Sequence, residues 1–443
     1  MQTRRDFLLM GAGMLVAVGV PACARSDTAQ ARQATAITEV FGDGVRLTAV
    51  AIEYDAPVRG GDLGAANFQV EGRTVTGAFA STSAAPADRA AEGRFVIVTL
   101  SPEDADALLA EKVPPQDGKP SAAGKGGPGK AGDIPAYDTR YRPARATVVQ
   151  SGAVTTAAGK TIPASDRALE TRGVENLVVD DFRQLEYHDP ETGRTLRYNL
   201  FVPKDHDPQQ SYPLVLFMHD AGATSDDPFA TLFQGLGAVV WASPQDQAKR
   251  PAFVLAPQYA EIIADDDSQT SNMLDTTIDL VNALVDQYGI DRNRLYATGQ
   301  SGGCMMSIAM DIRYPGFFAA SFLVAGQWDP ALVKPLARQK LWILVSQDDD
   351  KAFPGQNAIT GVLEQEGARI SRATWDGTWS AGQYRAAFER IDAEGSPINY
   401  VTFAKGTVIP PGQSAAGASG HRNTWRIAYG IEPIHEWIFR QHR

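Results

Sequence analysis

Cysteine is almost absent: the 443-residue chain carries two, Cys23 and Cys304. Two thiols cannot build a disulfide framework or a cysteine metal centre. Cys23 falls in an amino-terminal segment that reads as an export signal, so Cys304 is expected to be unpaired and buried as a small apolar residue. Histidine is also scarce, with six residues, which makes an exhaustive search for a base practicable. Neither an H-E-x-x-H pair, nor calcium-loop spacing, nor a phosphate-cradling glycine loop is found, so no metal or other cofactor is expected. Basic residues are the minority, 41 against 52 acidic, for a formal charge of −11. That balance argues against nucleic acid and anionic membrane surfaces as partners. The apolar run Phe7 to Val20 stops short of the roughly 20 residues a membrane span needs, so no transmembrane span is expected.

What is present begins with that leader. Thr3-Arg-Arg-Asp-Phe-Leu-Leu9 places a twin arginine before the apolar run, the pattern of a Tat export signal over 1–24. Ala22-Cys-Ala24 offers cleavage after Ala24 and a soluble periplasmic or secreted product. Val20-Pro-Ala-Cys23 resembles a degenerate lipoprotein box, so a lipid anchor at Cys23 and an outer-membrane lipoprotein stand as the alternative. The first is preferred because the usual leucine is missing at position 20.

Residues 25–36 read as a linker, and the rest of the chain divides in two. Over 37–172, short alternating runs such as Val45 to Tyr54 and Arg94 to Leu100 are separated by Gly, Asp and Pro, the pattern of a small β-sandwich. A segment rich in Pro, Gly, Ala and Lys, 113–134, interrupts it as a flexible insertion. From 173 to 443 the character changes. Continuous apolar runs at Pro213–Met218, Ala238–Ala242, Phe253–Ala256, Leu295–Ala297, Ala320–Ala325, Leu341–Val345 and Ile398–Phe403 read as strands buried on both faces. Helical stretches lie between them, most clearly Ser271–Tyr288. Strands alternating with helices predict an α/β fold with a mostly parallel sheet, whose chemistry lies beyond the carboxyl ends of the strands.

One such end carries Gly299-Gln-Ser-Gly-Gly303, a G-x-S-x-G elbow between a strand and a helix. A tight turn of that kind exposes Ser301 as a nucleophile and aims backbone N–H groups at developing negative charge. Met218-His-Asp-Ala-Gly222 follows an earlier strand and matches the loop that supplies an oxyanion donor. The N–H groups of Ala221 and Gly302 are the expected pair, although Asp220 stands where a glycine is usual. Among the histidines, His188 and His206 precede the elbow in a hairpin and a polar loop. His219 sits in the oxyanion loop, His435 inside the last helix and His442 at the terminus. His421, in Ala415-Ala-Gly-Ala-Ser-Gly-His421, remains as the base. The acid belongs between serine and histidine in chain order. The turn Gln347-Asp-Asp-Asp350 is the better site, and Asp329 in Gly326-Gln-Trp-Asp-Pro330 is a second strand-end carboxylate.

From about Arg197 to Phe439 the chain resembles bacterial α/β-hydrolase esterases related to the poly(3-hydroxybutyrate) depolymerase and feruloyl-esterase group, and also prolyl-oligopeptidase-like proteins. Residues 37–172 resemble the immunoglobulin-like amino-terminal domain attached to some of these esterases. Gly299-Gln-Ser-Gly-Gly303, the aspartate turn with Pro354, and His421-Arg-Asn-Thr-Trp425 carry the likeness. It implies that Ser346-Gln-Asp-Asp-Asp-Lys-Ala-Phe-Pro354 fills His-Gly-x-x-Asp-x-x-x-Pro, which points to Asp350 as the acid, although the histidine and first glycine are missing. The expected function is hydrolysis of small or oligomeric carboxylic esters by Ser301, His421 and Asp350. A peptidase, or a non-catalytic surface-binding protein with a decayed hydrolase domain, are the alternatives. Gln327 and Trp328 are expected to line the acyl site, with Trp425 as a second aromatic wall.

Overall fold

The computed structural model describes residues 30–113, 129–137 and 139–443. The export signal with Cys23, the start of the 25–36 linker and most of the 113–134 insertion lie outside the described residues.

The amino-terminal domain is built on the hairpin Ala31–Phe41 and Gly44–Arg59. Glu92–Leu100 and Val75–Ser81 extend it on one side. On the other, Ala31–Phe41 pairs in parallel with Ala168–Asn176, with a register shift at Ala34/Thr35, and Thr147–Val149 and Gln69–Val70 follow. The loose alternation of Val45 to Tyr54 has a packing reason. Val50, Ile52 and Tyr54 enter the main core, while Ala49 and Ala51 bury against Ile37 and Ile97 on the opposite face. Both faces of this strand are therefore covered, and small residues serve the thinner side.

The larger domain is organised by a nine-stranded sheet. Its order is Phe182–His188, Thr195–Phe201, Phe253–Gln258, Leu214–Met218, Leu295–Gln300, Ala320–Val324, Leu341–Ser346, Ile398–Phe403 and Ile370–Trp375. The first two strands are antiparallel, and all pairings from Phe253–Gln258 onward are parallel. The expected β-sandwich followed by a mostly parallel α/β domain is thus what the chain forms. Every residue of Leu214–Met218 and Leu341–Ser346 is buried, because helices cover both sides of the sheet. Met273–Tyr288 is one of these helices. It buries Leu274, Ile278, Val281, Leu284 and Val285 as a stripe and ends at Gly289, whose φ of 66° suits the left-handed cap.

Two elements differ from expectation. Ala238–Ala242 lies in a helix, Leu236–Ala242, and not in a strand. A short apolar run buried on most sides has no period to distinguish the two states. Ile370–Trp375, read from the sequence as neither, is the edge strand of the sheet; its exposed Arg372 and half-buried Ala373 dilute the apolar signal. The two domains share one hydrophobic cluster, which runs from Val40 and Val45 to Leu232 and Trp241. Tyr141 meets Phe233 edge-on across this junction, with ring centroids 5.2 Å apart.

Asp311, on the helix Gly302–Arg313, is fully buried, and its Oδ2 has no hydrogen-bond partner. Burial pushes its carboxyl up to about 7, and the nearby Ser321 hydroxyl offsets this only in part. Between about pH 4 and this value the folded chain holds a proton that the unfolded chain has lost, so stability falls as pH rises through that window. Asp311→Asn removes the penalty. Its melting temperature is expected to exceed that of wild type at pH 8, by the equivalent of up to ~4 kcal/mol, and the gap should shrink toward pH 5. A gap that is the same at both pH values would show that Asp311 does not titrate in this way.

Candidate active site

The elbow is a point of backbone strain. Ser301 has φ 52° and ψ −117°, between the strand Leu295–Gln300 and the helix Gly302–Arg313. A non-glycine residue holds such a conformation only when its surroundings fix it. Here Ser301 N–H donates to the Val324 carbonyl at 3.0 Å, and the Ser301 carbonyl accepts from Met305 N–H at 2.9 Å. Gly303 makes the turn sterically possible: a Cβ there would lie 2.0 Å from the Met218 carbonyl oxygen.

His421 meets the serine. Its Nε2 lies 2.8 Å from Ser301 Oγ, and its Nδ1 lies 2.5 Å from Asp349 Oδ2. The ring is carried on the first turn of a helix, Ser419–Ala428, just after the Gly- and Ala-rich run that precedes it. Trp425, one helical turn on, packs edge-on against the imidazole with centroids 4.8 Å apart. The side of His421 is thus fixed by packing and both of its nitrogens by polar partners.

The carboxylate at His421 belongs to Asp349 and not to Asp350, which corrects the sequence assignment by one residue. The turn after Leu341–Ser346 sorts its three aspartates into three directions. Asp348 Oδ2 accepts from Gly406 N–H at 2.7 Å. Asp349 is buried and turns inward, its N–H bonded to the Ser346 carbonyl. Asp350 faces solvent. Asp349 Oδ1 also accepts from the N–H groups of Lys351 and Ala352 at 3.1 and 2.9 Å, at the start of the helix Ala352–Gln365. Both carboxylate oxygens are therefore engaged, and the helix N-terminus favours the negative charge. Asp329, the other candidate, caps its own turn through Ala331 N–H and makes no bond to His421.

The loop after the strand Leu214–Met218, expected to supply an oxyanion donor, lies beside the elbow. A Cβ on Gly302 would sit 3.5 Å from Ala221 N, so these two backbone groups border one small space. The short helix Ala221–Ala223 is capped by Asp220, whose Oδ1 accepts from Gly222 N–H at 2.8 Å. Gln300 Nε2 donates to Asp220 Oδ2 at 3.0 Å, tying this loop to the residue before Ser301. The loop's departure from the usual glycine thus has a structural use. His219 is fully buried. Its Nδ1 donates to the Asp220 carbonyl at 2.8 Å and its Nε2 accepts from Tyr259 N–H at 3.0 Å. Burial holds this imidazole below its ordinary range, and it stays neutral in that tautomer. His435 is likewise structural, between Asp246 and the Tyr429 carbonyl. Cys304 is free and buried behind the elbow, where burial pushes its thiol up.

The proposed substrate-lining residues fare differently. Gln327 is half-buried, and its amide donates to Asp266 Oδ1 at 3.0 Å. Trp328 is only 7% exposed and packs in the same core cluster as Leu323 and Val333, so its ring offers little face for stacking. Trp425 is 9% exposed and spends its edge on His421. The Asp266 contact carries no sequence signal of its own, because it depends on distant segments meeting. The helix under His421, in contrast, has an amphipathic pattern, with Gly420, Asn423, Thr424 and Trp425 buried on one face.

Fold and comparisons together describe an α/β-hydrolase-type fold preceded by an immunoglobulin-like amino-terminal domain. Residues 33–163 match the family described as the esterase Ig-like N-terminal domain. The chain is similar to the crystal structure of a thermostable esterase, at 25% identity and a TM-score of 0.75, covering 93% of this chain and 100% of that one. A feruloyl esterase module from Clostridium thermocellum is 12% identical with a TM-score of 0.40, covering 57% of this chain and 86% of that one. Prolyl oligopeptidase B from Galerina marginata is 13% identical with a TM-score of 0.36, covering 68% and 44%. No curated relative matches the chain.

The close seat of the histidine helix on the aspartate turn gives a test. A Cβ on Gly420 would lie 2.4 Å from both the Cβ and the carbonyl oxygen of Asp348. Gly420→Ala must therefore lift His421 away from Asp349 and Ser301. Displacement of a reacting group by about 1 Å can cost ~100-fold in rate, so ester turnover should fall by one to two orders of magnitude in a variant that still folds. Undiminished turnover would mean that this contact does not position the imidazole.

Proposed function

We propose that this chain is a serine hydrolase that cleaves carboxylic esters through an acyl-enzyme, with Ser301 as nucleophile, His421 as base and Asp349 as the acid that supports it. The observation that carries the reading is the unbroken line from Ser301 Oγ to His421 Nε2 and from His421 Nδ1 to Asp349 Oδ2. Each group in that line has a job set by its chemistry. The serine hydroxyl donates to the imidazole and loses its proton as its oxygen attacks the ester carbonyl. Asp349 keeps the proton on Nδ1, so that Nε2 is the free acceptor, and balances the charge of the imidazolium that forms.

The carbonyl oxygen becomes an oxyanion held by the N–H groups of Ala221 and Gly302, which are fixed before the reaction begins. His421 then returns the proton to the departing alcohol. Water enters, gives a proton to the same nitrogen and attacks the acyl carbon. As the bond from the acyl carbon to Ser301 Oγ breaks, His421 returns that proton to Oγ, and the acid and free Ser301 are released. Every step uses residues of this chain and one water.

Ester over amide is supported by the likeness to the thermostable esterase, which covers 93% of this chain and 100% of that one. Export by the Tat route, with cleavage after Ala24 giving a soluble periplasmic or secreted product, is the reading of the leader. Its alternative is lipidation at Cys23. Among the described residues no helix is long and apolar enough to cross a membrane. The mass of the mature amino terminus separates the two processing routes: a chain beginning at Arg25 supports the first, and a diacylglyceryl adduct on Cys23 the second.

Incubation with a fluorophosphonate should label Ser301 stoichiometrically, and Ser301→Ala should abolish both labelling and hydrolysis of short p-nitrophenyl esters. Folded wild-type protein that takes up no label would sink the proposal. Faster turnover of aminoacyl-naphthylamides than of the esters would keep the serine mechanism but move the substrate class to peptides.

A further inference from the structure

The hairpin from Ile263 to Ser271 has no role in the chemistry above, yet it is bonded at both ends to things that matter. It closes through Ser271 N–H to the Ile263 carbonyl and Asp265 N–H to the Gln269 carbonyl. The buried Asp265 stabilises the tip, its Oδ1 accepting from Asp267 N–H and Gln269 N–H, both at 3.0 Å. Ser268 holds φ 56°, a conformation an L-residue avoids. This is a fixed and strained tip rather than a loose one.

On one side the tip grips the residues next to the nucleophile. Asp266 uses both oxygens: Oδ1 accepts from Gln327 Nε2 at 3.0 Å and Oδ2 from Lys351 Nζ at 2.7 Å. Ser268 Oγ accepts from Asp329 N–H at 2.9 Å. Gln327 and Asp329 follow the strand Ala320–Val324, whose Val324 carbonyl holds Ser301 N–H. Gly326 lies so close to the elbow that a Cβ on it would be 3.0 Å from the Ser301 carbonyl oxygen. Lys351 is two residues past Asp349. One aspartate therefore ties the segment beside the serine to the turn that carries the acid.

On the other side the same hairpin is held by the amino-terminal domain. Ile262 N–H donates to the Asp133 carbonyl at 2.9 Å, and Gly132 N–H donates back to the Ile262 carbonyl at 2.8 Å. Ala131 N–H donates to Asp265 Oδ2 at 3.0 Å. Tyr137 Oη donates to the Ala260 carbonyl at 3.2 Å. Residues 131–137 thus lie against the catalytic domain as a short added border, joined to the site through two adjacent aspartates.

We infer that Asp266 is a positioning residue for substrate selection, and that the amino-terminal domain sets that position through Asp265. The segment Gly326–Asp329, which lies against the Ser301 carbonyl, is held in place by Asp266, which is presented by a hairpin that residues 131–133 clamp. The inference rests on the serine-esterase reading, and it assigns the amino-terminal domain a part in choosing the ester. The reacting atoms are untouched, so the effect belongs in KM and in discrimination between substrates, not in the turnover of the smallest one.

The test uses the full chain and two series of p-nitrophenyl and alkyl esters, one varying acyl length and one varying the alcohol. Asp266→Ala should shift the kcat/KM ratio of the longest to the shortest substrate by about fivefold or more in one series, through KM, while kcat on the acetyl ester stays within about threefold. Contacts to a single methylene already discriminate by such factors. Asp265→Asn keeps an oxygen for the hairpin's own N–H groups but turns an amide donor toward Ala131 N–H. It should shift the same ratio in the same direction by about two- to threefold. The double variant should go no further than Asp266→Ala alone, since both act through one connection. Hydrogen exchange at 325–329 should be faster in Asp265→Asn, a readout that does not need any ester to be turned over. Unchanged ratios in both series, or an equal loss on every ester, overturn the inference. If wild type hydrolyses no ester, the proposed function fails, and the exchange measurement alone decides whether the hairpin couples the domains: no change there overturns that coupling too.

Discussion

A serine at φ 52° and ψ −117° is the conformation on which the rest of the molecule depends. Left alone, such a backbone costs of order 1–3 kcal/mol and relaxes. Here it is trapped between two rigid neighbours. The strand Ala320–Val324 takes the Ser301 N–H, the first turn of the following helix takes its carbonyl, and Gly303 lets the loop after Leu214–Met218 press against the turn. Three strands of the parallel sheet therefore converge on one residue. The strain is useful because it lifts the hydroxyl clear of the sheet edge, where His421 can reach it from the far end of the chain.

The same logic of close approach recurs at the second contact. The helix that carries His421 sits directly on the aspartate turn, with Gly420 against Asp348. The turn then has only one inward direction left, and Asp349 takes it. Two backbone N–H groups at the start of Ala352–Gln365 hold its other oxygen. Trp425 closes the side of the imidazole. The His421 imidazole is thus held by a helix, a turn and a ring, with Asp349 and Trp425 buried against it.

Much of this was legible in the sequence, and the exceptions are instructive. Continuous apolar runs announced the parallel sheet because its strands are covered on both faces, and Gly299 and Gly303 announced the elbow because a Cβ on either would collide with neighbouring backbone. His421 could be reached by elimination among six histidines. The acid could not be placed to the residue. Asp348, Asp349 and Asp350 are chemically identical, and which one turns inward is decided by the Asp349 N–H to Ser346 bond and by the helix that follows, neither of which leaves a pattern in the chain. The helix beneath His421 was masked by the Gly- and Ala-rich run just before it, Ala415 to Ala418, which fits a loop and hides where the helix begins. Trp328 looked like a recognition residue because it follows a strand end, yet the same position faces the core beneath the sheet.

The choice between neighbouring aspartates is also the sharpest test of the catalytic line. Asp349→Asn and Asp350→Asn differ by one residue and by nothing in composition, so their effect on kcat for a short p-nitrophenyl ester isolates geometry. Loss of the acid that orients a catalytic histidine costs on the order of 10³- to 10⁴-fold in such a triad. Asp349→Asn should show a loss of that size in a protein that melts near the wild-type temperature, and Asp350→Asn should remain within a few-fold of wild type. The reverse pattern, or two equally mild losses, would contradict the line from Ser301 through His421 to Asp349.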